Sequence, residues 1–199
     1  MWQIEDACYE KGYKLICGVD EAGRGPLAGP VCAAAVILPA HVDIPGLDDT
    51  KKLSDKRRRE LFPLIQEKAI AYGIAFSDHK EIDEINILQA SLLAMDRAIR
   101  MLDVKPDIAL VDGNREKDFG VPVQTVVHGD SLSASIAAAS ILAKVTRDDY
   151  MVQMAQEYPG YGFEIHKGYG TKAHYAALTK LGSCPIHRRS FLKKLHGQE

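Results

Sequence analysis

The apolar run Ile16-Cys17-Gly18-Val19 stops abruptly at two adjacent carboxylates, Asp20 and Glu21, and a glycine-arginine-glycine loop, Gly23-Arg24-Gly25, follows before Pro26. β-Branched Ile16 and Val19 mark the run as a short buried strand. The acid pair at its end must then face solvent or a site rather than the core. Unpaired anions are costly to bury, and the two repel one another, so a positive charge belongs beside them. A divalent cation is the simplest candidate. Glycines let a backbone come close to a ligand, and Arg24 between them can hydrogen-bond a phosphate or a sugar. Strand, acid pair and loop together point to the chemistry of a nuclease or phosphotransferase.

The rest of the chain alternates in a way that places this strand in a sheet. Residues 14–20, 31–38, 70–76, 108–111 and 121–127 read as five strands. Ser54 is placed as the N-cap of a helix reaching about Ala69, and Asn86 opens another through about Leu102, with Leu88, Leu92, Met95 and Ile99 at helical spacing. A long helix from Ser131 to about Glu157 has small residues in its first half, which allows close packing on a sheet. Pro159-Gly160 ends it, a loop with Gly162, Gly168 and Gly170 follows, and Thr171–Leu181 is a further helix. Strands interleaved with helices predict a three-layer α/β fold, and 199 residues support one compact domain, or at most two small ones, with a single domain over 1–199 the reading adopted.

Two more acids sit where the strands end. Asp112 closes the fourth strand, and Asp130 follows the fifth just before the long helix. In open α/β sheets, sites collect at the carboxyl ends of strands, so Asp20, Glu21, Asp112 and Asp130 can converge. Oxygen-only ligands favour Mg²⁺ or Mn²⁺. Two such ions about 4 Å apart activate a water and stabilise the leaving oxygen in phosphodiester hydrolysis. Each acid also has a plainer reading: Asp130 as a helix cap, Asp112-Gly113-Asn114 as a turn. Neighbours on a strand face opposite sides. Either the strand has turned by Glu21, or Glu21 contributes through its backbone carbonyl.

Charge is unevenly spread. Residues 163–199 carry seven bases against two acids, although the whole chain is at −2. A second basic cluster contains Lys51, Lys52, Lys56, Arg57, Arg58 and Arg59. Local basic surface on a mildly acidic chain suits an enzyme that grips a polyanion and holds metals with carboxylates. Lys51, Lys52, Lys167, Lys172, Arg188 and Arg189 are the candidate phosphate contacts. Solvated helix faces would give the same runs. The four cysteines, at 8, 17, 32 and 184, spell neither a zinc nor a redox motif. Cys17 and Cys32 read as small buried thiols. No membrane span and no signal-peptide core is visible, so a cytoplasmic setting is expected.

At this point the motifs carry a resemblance. The run from Asp20 through Pro30 resembles the opening motif of type 2 ribonucleases H, closely the bacterial ribonuclease HII family. So do Asp49-Thr50-Lys51-Lys52-Leu53-Ser54, Leu110-Val111-Asp112-Gly113-Asn114, His128-Gly129-Asp130-Ser131, the run Ala138 to Asp148, His166-Lys167-Gly168-Tyr169-Gly170-Thr171, and His187-Arg188-Arg189-Ser190-Phe191. The resemblance implies an RNase H-like fold, a mixed five-stranded sheet with its second strand antiparallel, flanked by helices, and a small C-terminal helical part. It implies hydrolysis of the RNA strand of RNA–DNA hybrids and nicking at single ribonucleotides in duplex DNA, giving 3′-OH and 5′-phosphate ends. Mn²⁺ or Mg²⁺, two ions during catalysis, would be held by Asp20, Glu21, Asp112 and Asp130. Gly23, Arg24 and Gly25 would read the ribose 2′-OH, and Tyr169 would pack on the sugar beyond the junction. A monomer is expected.

Three other readings compete. Gly23, Gly25 and Gly29 have the wrong spacing for a dinucleotide fingerprint, no P-loop Gly-Lys-Ser/Thr exists, and a strand rather than a helix follows the loop. A non-catalytic hybrid-binding module would share the basic patches but would not need four acids at strand ends. Histidine-based zinc hydrolysis is weak because His166, His174 and His187 lack paired helical spacing.

Overall fold

A computed structural model describes residues 1–47, 53–115 and 117–196. Strands β1 (Ile16–Ala22), β2 (Val31–Ile37), β3 (Ala71–Ser77), β4 (Ile108–Asp112) and β5 (Val123–Val126) form one sheet in the order β3-β2-β1-β4-β5. β2 runs antiparallel to both β1 and β3, while β1, β4 and β5 are parallel. This is the mixed sheet, second strand antiparallel, that the family resemblance implies. Its helices are α1 (Gln3–Glu10), α2 (Asp55–Lys68), α3 (His79–Arg100), α4 (Ala134–Glu157), α5 (Phe163–His166), α6 (Lys172–Leu181) and α7 (Arg189–His196).

Strand alternation sorts β1 between two helical layers. Cys17 and Val19 join Ala33 and Ala35 of β2 in a core packed by Ala90, Ala94 and Ala98 of α3. On the other face Cys32, Ala34 and Val36 meet Ala138, Ile141 and Leu142 of α4, with Leu61 and Ile65 of α2 behind. Gly18 faces α4 so closely that a Cβ there would stand 2.1 Å from the carbonyl carbon of Ser135. The small residues at the start of α4 thus do what their size suggests: they bring helix backbone onto strand backbone. The buried thiols of Cys17 and Cys32 are pushed up to about 12 by burial, as expected of packing cysteines.

Three local expectations change. α1 was not foreseen, because eight residues with acids among them carry little periodic signal. Its Glu5 is buried and accepts from the Ser133 hydroxyl at 2.6 Å and the Ser135 N–H at 3.0 Å, tying α1 to the start of α4. Asn86 does cap a helix, accepting from the Leu88 and Gln89 N–H groups, but it does so at a kink with φ of +66°. A preceding turn already starts at His79, capped by the Asp78–Glu81 box. The long helix begins at Ala134 with Ser133 as its cap, not at Ser131. Residues 129–131 form a separate 3₁₀ turn that holds Asp130 away from the helix. Ser54 caps α2 as read, while α6 starts one residue later than expected, at Lys172, with Thr171 as its cap. Among the described residues no helix is long and apolar enough to cross a membrane.

Candidate active site

β1 and β4 lie side by side with Val19 opposite Val111, so Asp20 and Asp112 follow at adjacent strand ends. Asp112 Oδ1 accepts from the Gly129 N–H at 2.7 Å, which binds the end of β4 to the turn carrying Asp130. Asp20, Glu21, Asp112 and Asp130 border one cleft of about 390 Å³, together with Gly23, Arg24, Gly25 and Tyr169. Four acids read from separate stretches of sequence therefore share one site with the loop and the tyrosine. β1 does not turn before Glu21, which pairs with Ala33 as an ordinary strand residue. That overturns the first of the two ways for Glu21 to join Asp20. Glu21 also borders a small pocket lined by Leu88, Ser91, Leu92 and Met95 of α3, and its carboxylate takes an ion pair from Arg24 Nη1 at 3.2 Å.

Asp20 is 6% exposed and Asp130 2%. Burial, then repulsion from Glu21 and Asp112, drives the Asp20 carboxyl well above its ordinary 3.8; bonds from Ser140 and from the Glu21 N–H, at 2.7 Å, work against this. Burial also raises Glu21, with Arg24 opposing. In the present rotamers no group of three or more His, Cys, Asp or Glu among the described residues is placed to hold an ion. Asp20, Glu21 and Asp112 each spend an oxygen on a protein donor instead. The donor set still fits a hard cation: it is all oxygen, it is concentrated on one cleft, and its self-repulsion is what a cation relieves.

Ser140, Lys144 and Arg58 also line the cleft; Arg58 belongs to the second basic cluster and the other two to the run from Ala138 to Asp148, but the sequence assigned none of them a role in the site. The available signal was helical spacing: Ser140, Lys144 and Asp148 stand four apart on α4, one side round from the alanines that touch the sheet. Lys144 pairs with Asp148 at 2.7 Å. Its ammonium is 5.9 Å from the centre of the Tyr169 ring, and the Arg147 guanidinium is 5.7 Å from it.

The proposed phosphate contacts fare unevenly. Lys51 and Lys52 lie outside the described residues. Lys167 donates its ammonium to the Glu164 carbonyl and does not border the cleft. Arg188 is 0% exposed and cannot meet a phosphate at the surface. Burial, then the charge of Arg147, lowers it to about 9, which leaves it a cation at neutral pH. Arg189 borders a larger groove, about 1060 Å³, between the start of α3 and the C-terminal segment. Size does not make that groove the reaction site. Its Asp83 is committed to capping α7 through the Arg189 and Ser190 N–H groups, and no strand end opens into it.

His166, His174 and His187 come together despite their sequence spacing. The His166 and His174 rings stack with centres 4.5 Å apart, and His174 Nε2 is 3.0 Å from His187 Nε2. His187 Nδ1 has the Cys184 N–H at 2.9 Å and the Cys184 carbonyl at 3.2 Å; with Nδ1 assigned as acceptor of the N–H, the His187 proton sits on Nε2 and points at His174. His174 then donates from Nδ1 to the Tyr169 carbonyl at 2.9 Å. Every ring nitrogen of this pair is used in the neutral form, which makes it a scaffold for the Tyr169 loop. Burial, then His174, pushes His187 down to about 4 from the ordinary 6.5. A base with a depressed folded pKa stabilises the fold above 6.5 and loses that contribution as pH falls through about 4. Thermal melts between pH 7 and pH 4 should therefore show Tm falling on the acid side, with a shallower fall in His187→Asn. Equal slopes would remove the pair from the acid response.

Several known proteins are similar to this chain in sequence and fold. The model of the Ribonuclease HII family matches residues 17–194. The ribonuclease HII of Geobacter sulfurreducens is 56% identical over 191 residues, covering 96% of this chain and 88% of that protein. That of Acetivibrio thermocellus is 55% identical, covering 95% and 74%. Among solved structures, ribonuclease H2 from Pyrococcus horikoshii superposes with a TM-score of 0.72 at 28% identity, covering 88% of this chain and 92% of that one. Bst-RNase HIII in complex with Mn²⁺ shares the fold, with a TM-score of 0.60 at 20% identity over 88% of this chain and 65% of that one.

Proposed function

The chain belongs to the ribonuclease HII family, and from that premise we propose that it is an endonuclease that hydrolyses the RNA strand of RNA–DNA hybrids and nicks duplex DNA at single embedded ribonucleotides. The observation that carries this reading is the shared cleft, where four carboxylates meet a glycine-flanked loop and a half-exposed tyrosine. A binding module would have no use for Asp20, whose carboxyl is held against its own ionisation by burial and two neighbouring acids.

Asp20, Glu21, Asp112 and Asp130 are the residues that would hold Mg²⁺ or Mn²⁺. Two such ions, when bound, supply an activated water and charge stabilisation at the scissile phosphate. Ser140 holds the Asp20 carboxylate in place, and Asp112 is fixed by the Gly129 N–H. Arg58 and Lys144 border the cleft as cations for the phosphate backbone. Gly23, Arg24 and Gly25 line the approach to the acids, and backbone groups there can reach a ribose hydroxyl because side chains are absent at two of the three positions. Tyr169 lies against this loop: a Cβ on Gly25 would be 3.6 Å from its ring. Cleavage on the 3′-OH side of the phosphate leaves a 5′-phosphate end.

Three duplexes of one sequence test the reading: a continuous hybrid, DNA with one ribonucleotide, and all DNA. Both ribonucleotide-containing duplexes should be cut with Mg²⁺ or Mn²⁺ and the third left intact. Tyr169→Ala should lower kcat/KM at the isolated ribonucleotide roughly tenfold more than in continuous RNA, since only the former depends on packing of a following deoxy sugar. Equal losses would make Tyr169 a structural aromatic, and cutting of the all-DNA duplex would overturn the reading.

A further inference from the structure

Two guanidinium groups stand wholly inside the protein, Arg147 and Arg188, each 0% exposed. Carbonyl oxygens take their hydrogen bonds. Arg188 donates from Nη2 to Gly23 O at 2.6 Å, from Nη1 to Arg24 O at 2.8 Å and from Nε to Gly29 O at 2.9 Å. Arg147 donates to the carbonyls of Pro30, Lys167 and Ala28 at 3.1, 2.9 and 3.2 Å. A cation removed from water is costly even when carbonyl dipoles solvate it. What this pair achieves is a fixed direction for those dipoles.

A trans peptide is planar, with C=O and N–H pointing opposite ways. The carbonyls of Gly23 and Arg24 both aim inward at one guanidinium. The N–H groups of the same two peptide units, those of Arg24 and Gly25, are thereby turned outward to the cleft that residues 23–25 border. Further along the segment the N–H groups are used internally, Leu27 by Gly168 O and Gly29 by Ile186 O. Among the described residues no backbone hydrogen bond claims the N–H of Arg24 or Gly25. The planar fork of arginine can hold adjacent carbonyls at once, which a lysine ammonium does poorly.

We propose that Arg188 is the positioning residue for ribose recognition: by holding the Gly23 and Arg24 carbonyls it presents the Arg24 and Gly25 N–H groups side by side to a ribose hydroxyl oxygen. This rests on the reading of residues 23–25 as the ribose-contacting loop. Arg188 acts through that loop and touches no substrate itself. Arg147 forms the bed beneath, since a Cβ on Gly23 would lie 2.0 Å from its Nε.

The test uses one assay. A DNA duplex with one ribonucleotide serves as substrate, and the all-DNA duplex of the same sequence serves as competitive inhibitor. In Arg188→Met, kcat/KM for the ribonucleotide duplex should fall at least about tenfold while Ki of the all-DNA duplex stays within about twofold. Arg188→Lys, which keeps the charge but loses the fork, should fall between. Equal weakening toward both duplexes would overturn the proposal in favour of a general charge effect, and so would an unchanged kcat/KM. Melting curves establish that each variant is folded; if Arg188→Met does not fold, Arg188→Lys decides by the same ratio. A wild type that binds both duplexes equally well would instead remove the loop reading and the proposal with it, an outcome visible before any variant is made.

Discussion

Asp20→Asn should lose cleavage of a ribonucleotide-containing duplex while its melting temperature stays level or rises. The substitution keeps the volume and one acceptor oxygen for the Glu21 N–H, so the end of β1 has no reason to move. It removes the anion at the centre of the acid cluster. Metal-assisted charge stabilisation is worth several kcal/mol, and a loss of about 4 kcal/mol is on the order of a thousandfold in rate. Stability should move the other way. The folded-state pKa of Asp20 lies well above its ordinary 3.8, so the wild type bears a charge penalty that grows as pH rises through and above that value. The Tm advantage of the Asn variant should widen over the same interval. Asp112→Asn should behave alike. Activity retained in a folded Asp20→Asn protein would take the site away from this cleft.

The largest effect on stability should come from Gly18→Ala, one methyl group in the middle of β1. Its Cβ would sit 2.1 Å from Ser135 C and 2.3 Å from Ile136 N, both backbone atoms at the first turn of α4. No side-chain rotamer can relieve that overlap, so the helix must lift from the sheet. Overpacking of a well-filled core costs up to about 3 kcal/mol, occasionally more. For a domain of this size that is roughly 6–12 °C in Tm. Gly25→Ala is the matched control: its Cβ would meet only the Tyr169 ring at 3.6 Å, so its stability should stay within about 0.5 kcal/mol of wild type. A Gly18→Ala protein as stable as wild type would show that α4 does not lie on β1 as described.

Those two glycines also show what was legible beforehand. The strand that carries Asp20 could be read because β-branched residues and an abrupt acid pair are local signals, although it runs on to Ala22. Asp112 and Asp130 followed from the same rule applied to two more strands. The motif resemblance then supplied the loop and tyrosine roles. Gly18 carries no local sign of its importance, since the close approach is made by a helix more than a hundred residues later. Arg188 read as surface charge for the same reason: arginine is usually exposed, and only the folded loop reveals carbonyls waiting for it. Spacing along one helix speaks against histidine-based zinc hydrolysis, and it is silent on the cluster that His166, His174 and His187 do form, because they come from α5, α6 and the segment before α7. Asp130 reads as the residue directly before the long helix, but the helix starts only at Ala134, and the 3₁₀ turn that carries Asp130 is tied to the end of β4 by the Gly129 N–H donating to Asp112.

The central claim is that the four carboxylates, and not the larger groove beside α7, hold the catalytic ions. Substoichiometric Mn²⁺ added to isotope-labelled protein tests it directly, because paramagnetic broadening erases amide signals near the bound ion. The account predicts that signals of residues 20–23, 112–113 and 129–131 vanish first, and that Asp20→Asn shifts the loss to higher Mn²⁺. Signals lost first around His79, Asp83 and Lys193, with those of residues 20–23 intact, would contradict it.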